Sequence, residues 1–219
     1  AGARQLLEAG FEVRCVLVGS HEKMTQDTRA MEVKLAAGGG KLEPFQPDDA
    51  DFAAWCLKAD VMVDAIFGIG LNTEVRGDAL TAVHMMNTCD IPVVSADIPS
   101  GVEADTGRVL GEAVRAARTV TFTLPKAGHY VGKGGLCTGV LTVADIGIPR
   151  DLVDGEDYPV QTVEGADVRL PVRPRDAHKG DFGKVYLLGG SVGYTGAPVF
   201  AAQAAVRSGA GLVTVGVPA

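Results

Sequence analysis

The chain has 219 residues, 47% of them hydrophobic and 21% charged, with a net charge of −7. This composition excludes wholesale disorder and a collagen-like or disulfide-rich secreted class, and the acidic balance argues against a general nucleic-acid binder, which shows a basic patch. The four cysteines, Cys15, Cys56, Cys89 and Cys137, are widely spaced without a CxxC pair; they read as buried thiols in a reducing, cytoplasmic setting, and no apolar run is long enough to cross a bilayer.

Helical and strand patterns alternate from the start. Residues 1–10 (AGARQLLEAG) read as the body of a helix ended by Gly10, and residues 11–19 (FEVRCVLVG) as a strand rich in β-branched residues. A helix is expected over 24–37, stopped by Gly38, Gly39 and Gly40. Another is expected over 48–59, with Asp48 or Asp49 at its N-cap. Residues 60–67 (DVMVDAIF) are nearly all apolar, the pattern of a strand buried on both faces. A helix over 77–89, a buried strand over 91–98 and strands over 118–124 and 139–145 follow. Residues 149–179 hold four prolines and many charges, and read as a linker with one short strand. Beyond it come a strand over 184–188, a glycine-rich turn over 189–196, a helix over 197–208 and a strand over 211–217.

This alternation predicts an α/β fold, a Rossmann-like three-layer α/β/α parallel sheet, followed by one further βαβ unit. The expected division is 1–149, a linker over 150–177, and the start of a second domain over 178–219. The absent initiator Met, the helix already under way at residue 1 and the strand with nothing after it lead us to expect a chain cut from a longer one at both ends. A lone βαβ unit would leave the apolar faces of 185–188 and 212–217 uncovered, an aggregation hazard.

In parallel sheets ligands sit beyond the carboxyl ends of the strands, so the residues there are read for chemistry. Asp64 lies inside an apolar strand, where a carboxylate must be paired, hydrogen-bonded or bound to a cation. Gly68 and Gly70 follow, where backbone can approach a ligand closely. Asp97 ends a buried strand, with Ser100 on the turn that Pro99 and Gly101 fix. Two strand ends each carrying an Asp make a functional reading stronger than either alone. Lys126 and His129 follow another strand; phosphate or carboxylate contacts and plain solvated loop residues stand equally open for them. His84 lies in a helix and reads as structural, and the turn over 189–196 is not a Walker A loop because no GK[ST] closes it.

Four blocks, VDAIFGIGL (63–71), ADIPSGVEADTG (96–107), TVTFTLPKAG (119–128) and VADIGIP (143–149), together resemble NAD(P)H-hydrate epimerase. Residues 178–218 are similar to the start of the ADP- or ATP-dependent NAD(P)H-hydrate dehydratases, a ribokinase-like fold. That order is the order of bifunctional nicotinamide-nucleotide repair proteins. The resemblance implies NADHX and NADPHX, hydrated at C6 of the nicotinamide ring, as substrates. One half would interconvert the R and S forms, and the other would dehydrate the S form using ADP or ATP. It implies a potassium ion held by Asp64 and Ser100. It also implies a substrate loop of Gly68, Ile69, Gly70, Leu71, Asn72, Thr73 and Glu74, and Asp97 as a substrate-contacting catalytic acid; Ala197 matches a substrate contact of the dehydratase. Ile69 stands where the family often has Thr. The family's Asn-Asn-Gly-Gly-Asp-Gly motif is expected just ahead of Ala1, so the fragment as given would lack epimerase activity, and the dehydratase's catalytic Asp is expected beyond Ala219.

Such a reaction lets ring N1 expel the C6 hydroxyl and water return to the other face. Asp97 would serve as acid and then base, with its pKa raised at a dry strand end. The alternatives are a non-catalytic nucleotide- or protein-binding module of the same fold, a Rossmann dehydrogenase and a small-molecule kinase. The dehydrogenase is disfavoured because SHEKMT follows the first strand in place of GxGxxG, and the kinase leaves residues 1–149 unexplained. No nucleic-acid or membrane partner is expected, and a homo-oligomer is left open.

Overall fold

The computed structural model describes residues 2–218. The chain forms two compact units, Ala1–Val160 and Gln161–Ala219.

In the first unit α1 (Gly2–Glu8) leads to β1 (Cys15–Leu17), α2 (Gln26–Ala37), β2 (Leu42–Pro44), α3 (Ala50–Cys56), β3 (Met62–Asp64), α4 (Asp78–Thr88), β4 (Val93–Ala96), β5 (Arg118–Phe122), α5 (Gly134–Cys137), β6 (Val140–Ala144) and α6 (Arg150–Asp154). All pairings among these strands are parallel. They form a two-stranded piece, β1-β2, and a four-stranded piece in the order β3-β4-β5-β6. The expected parallel α/β architecture is therefore present. One apolar cluster reaches both pieces: Phe45, Phe52, Cys56 and Ala82 pack with Val16 and Val18 on one side and with Met62 and Ile66 on the other.

Local chemistry explains the element ends. Thr25 caps α2 by accepting from Thr28 N at 3.2 Å. Asp49, the second of the two expected candidates, caps α3 by accepting from Asp51 N at 2.9 Å and Phe52 N at 3.1 Å. Helix α2 stops at Ala37, with Gly38 as its C-cap.

Three expectations fail. Strand β2 was not expected: three residues ending in a proline carry no alternation, and only the register against β1 makes them a strand. The short strand expected between 150 and 178 is not there; that stretch opens with the single turn of α6 and has no strand among the described residues. Strand β3 is not covered on both faces. Helices α3 and α4 pack on its Met62 side, whereas Val63 is 54% exposed, and Val140, across the same sheet row, is 57% exposed.

In the second unit β7 (Lys184–Leu188) and β8 (Leu212–Gly216) are parallel neighbours joined through α7 (Gly196–Arg207). Val185 and Leu187 are half-buried, and Tyr186 and Leu188 are exposed, as expected for one βαβ unit. Arg173 stacks on Phe182, its guanidinium carbon 4.2 Å from the ring centre. Ala1 and Ala219 lie outside the described residues.

Candidate active site

The site of the first unit is built on the carboxyl ends of β3, β4 and β5. The register pairs Asp64 with Ser95 and Ser95 with Thr119, so a row of small polar side chains crosses the sheet, all fully buried.

Asp64 is 0% exposed and its carboxylate is well satisfied. Oδ2 accepts from Ser95 Oγ and Ser100 N, both at 2.8 Å, and Oδ1 accepts from Ser100 Oγ at 2.6 Å and Ile66 N at 3.3 Å. Ser100 Oγ in turn accepts from Phe67 N at 2.9 Å. A buried charge surrounded by donors in this way is stable without a counter-ion. Asp64 and Ser100, expected together, are therefore together, and they tie the 98–101 turn to the start of the loop that follows β3.

Asp97 occupies a left-handed backbone position, φ 70°, uncommon for a residue other than glycine. Its N–H donates to Val120 O at 2.8 Å. Its Oδ1 accepts from Lys126 Nζ at 2.6 Å and from Thr121 Oγ1 at 3.0 Å. Lys126 Nζ also donates to Thr121 Oγ1 at 2.8 Å and to Phe122 O at 3.2 Å. Burial pushes the Asp97 carboxyl upward, but the Lys126 hydrogen bond and charge, with Thr121, outweigh it, and the group lies below the usual carboxylate range. The raised pKa expected for Asp97 is thus corrected. The dry strand end is there, but it holds an ammonium group as well.

Gly68 stands beside this pair, because a Cβ there would lie 3.5 Å from Asp97 Oδ2. The rest of the loop, Ile69, Gly70, Asn72, Thr73 and Glu74, is exposed, and half-buried Leu71 packs against the Val75–Val83 cluster. Glu74 pairs with Arg76 at 2.8 Å and borders a hollow of ≈ 480 Å³ lined also by Arg108, Gly111, Gly132 and Lys133. Ala197 is exposed in the first turn of α7, in the second unit.

Lys126 and His129, left open by the sequence, both reach Asp97. His129 is 3% exposed, and its ring bonds the Asp97 carbonyl at 2.9 Å. Thr121 and Ser95 were missed. The signal for Thr121 was the alternation of hydroxyl residues in TVTFT, which places Thr119 and Thr121 on one sheet face; that for Ser95 was a lone hydroxyl within the apolar strand VVSAD.

A family profile described as YjeF-related protein N-terminus matches residues 1–128. The chain belongs to this family. A second profile, described as NAD(P)H-hydrate dehydratase, matches residues 185–219. Among the relatives of this YjeF-type chain is a protein named bifunctional NAD(P)H-hydrate repair enzyme Nnr from Moorella thermoacetica. It is 43% identical over 99% of this chain and 42% of its own length. The protein of the same name from Thermofilum pendens is 38% identical over 95% of this chain and 40% of its own length. The chain thus spans about two fifths of the curated relatives it matches. Yeast ynu0 (YNL200c), a solved structure, shares the fold with a TM-score of 0.59 at 22% identity, over 76% of this chain and 68% of its own. Among the described residues no helix is long and apolar enough to cross a membrane, and the cysteines are free.

Proposed function

We propose that the first unit interconverts the R and S forms of NADHX and NADPHX. The Asp97–Lys126 pair, at 2.6 Å beside Gly68, carries this reading. In the substrate the C6 hydroxyl is bonded to the carbon next to ring N1. Lys126, protonated in the pair, donates a proton to that hydroxyl, which leaves as water as the N1 lone pair forms a C=N bond. The ionised Asp97 faces the resulting cation and takes a proton from the water that adds back to C6, while the C=N electrons return to N1. Transfer from the Asp97 carboxyl to Lys126 across their hydrogen bond resets the pair. No proton is gained or lost overall, and water adding to the opposite face inverts the centre. Loop residues 68–74 offer backbone to the dinucleotide, and Arg108 and Lys133 suit its phosphates.

Asp64, Ser100 and the Phe67 carbonyl, 3.5 Å from the Ser100 hydroxyl, are all hard oxygen donors and fit a potassium ion in kind. When bound, the ion would supply a fixed positive charge beneath the loop. The second unit, with Ala197 at the start of α7, would belong to a dehydratase that uses ADP or ATP, and the whole would be a cytoplasmic repair enzyme.

The test follows conversion of purified R-NADHX to the S form by chiral chromatography, on the chain in its full natural length, with and without potassium. Interconversion that Asp97→Asn abolishes is expected. Binding of NADHX without interconversion would favour the non-catalytic binding module.

A further inference from the structure

His129 has no part in the proton transfers above, yet it is buried between the two residues that make them. It ends a tight turn over Ala127–His129, and both ring nitrogens are used. Nδ1 lies 2.9 Å from the backbone N of Lys126. A backbone N–H can only donate, so Nδ1 must be the unprotonated nitrogen. The proton is then on Nε2, which donates to the backbone carbonyl of Asp97 at 2.9 Å. The ring therefore has one tautomer, set by two main-chain groups.

These main-chain groups belong to the two members of the ion pair. One imidazole bonds the backbone of Asp97 on one side and the backbone of Lys126 on the other. Asp97 needs such a hold, because a left-handed φ of 70° costs about 1–3 kcal/mol in a residue with a Cβ and persists only where its surroundings over-determine it. Its N–H is fixed to β5 through Val120 O, and its carbonyl is fixed only to His129 among the described residues. Without the ring the 97–98 peptide keeps only its Ile98 N–H bond to the Ala96 carbonyl, at 3.0 Å, and its carbonyl is unheld; the strained backbone then relaxes and draws the carboxylate away from Lys126 Nζ and Thr121 Oγ1.

We propose that His129 is a positioning residue: a neutral imidazole strut that joins the backbones of Asp97 and Lys126 and so sets the geometry of their ion pair. A histidine that merely fills the core would be replaceable by an apolar side chain of similar volume. A strut is replaceable only by a side chain that both accepts and donates. Glutamine, whose amide oxygen and nitrogen can take the two roles, is the conservative variant, and leucine removes both bonds.

The proposal rests on the epimerase reading for its kinetic arm alone. In R-to-S NADHX conversion by the full-length protein, His129→Leu should lower kcat by about 10–100-fold with KM little changed, and His129→Gln should recover most of that loss. In the same variants the Asp97 carboxyl, followed by carbon NMR, should move up from its depressed position in His129→Leu and return in His129→Gln. If the wild type does not interconvert NADHX, the epimerase reading fails while the carboxyl titration still decides the strut. Nitrogen NMR of the unmutated protein adds an arm that no folding defect can obscure. It should show His129 neutral, with the proton on Nε2, at pH 7. An imidazolium or an Nδ1-protonated ring, or a His129→Leu protein with unchanged kcat and an unmoved Asp97 titration, would overturn the proposal.

Discussion

Replacing Lys126 by methionine tests the electrostatics of the site through a stability loss that shrinks as pH falls. The ammonium makes three hydrogen bonds, to Asp97 Oδ1, Thr121 Oγ1 and Phe122 O. Breaking a fully buried ion pair costs about 3–5 kcal/mol, and a hydrogen bond to a charged group contributes about 1.5–3 kcal/mol. The two side chains are 21% and 16% exposed, so water screens part of this, and a loss of about 2 kcal/mol at pH 7 is expected. In the wild type the Asp97 pKa is depressed, so its contribution is present above the unfolded value near 3.9 and is lost as pH falls through the lower folded value. With Lys126 gone, burial is the largest remaining influence and acts upward. In the variant the ionised carboxylate then opposes folding at neutral pH, and protonation relieves that cost as pH falls toward 4. The gap between the two proteins should be about 2 kcal/mol at pH 7 and should narrow by at least half at pH 4. Urea unfolding read by the fluorescence of Trp55, the single tryptophan, measures it within the same unit. A gap constant across that range would refute the reasoning.

Other substitutions separate scaffold from site. Asp64→Ala strands the donors of Ser95, Ser100 and Ile66 in a fully buried place; a loss of about 3 kcal/mol or more is expected in urea unfolding. Because those donors already satisfy Asp64, exchanging potassium for a bulky organic cation should leave the melting temperature within about 2 °C while changing turnover. At Gly101, φ 100°, a Cβ would run into the Glu112 carbonyl and come within 2.6 Å of the Ala113 backbone; Gly101→Ala should cost about 3 kcal/mol or prevent soluble expression. Thr123 combines φ 62° with a buried hydroxyl that has no partner among the described residues, so Thr123→Gly should raise the urea midpoint, by about 1 kcal/mol in stability.

The strands and helices legible in the sequence are those whose pattern is strong over five or more residues. Strand β7 falls at the expected bounds, and the cores of β4, β5, β6, α2, α4 and α7 lie within the expected segments. Strand β2 was illegible because its three residues have no pattern of their own and owe their conformation to the pairing of Leu42 with Cys15. At the site, Asp64, Asp97 and Ser100 were legible because a carboxylate in an apolar strand, or at its end, is costly enough to need a reason. Lys126 stood open between a ligand contact and a solvated loop residue, because its partner Asp97 lies 29 residues away in sequence. That meeting follows from the β4-β5 register, in which Ala96 lies beside Val120 and the chain turns back after Phe122.

The sequence presents the two aspartates as equals, each at a strand end, and the structure surrounds them with donors of different kinds. Asp64 is met by hydroxyls and backbone N–H groups within a closed turn. None of these donors gives up its proton readily, so the carboxylate there holds the 98–101 turn in place without moving a proton. Asp97 is met by an ammonium group and sits beside an exposed glycine loop. Its neighbour can lose a proton, its second oxygen faces Gly68, and its strained backbone is held from outside the strand by His129. A residue that builds the fold needs partners that do not change state, whereas a residue that moves protons needs a partner that does. By that criterion Asp97 is the carboxylate suited to the proton transfers proposed above, and the turn that Asp64 secures is the means by which Asp97 is carried to the edge of the loop.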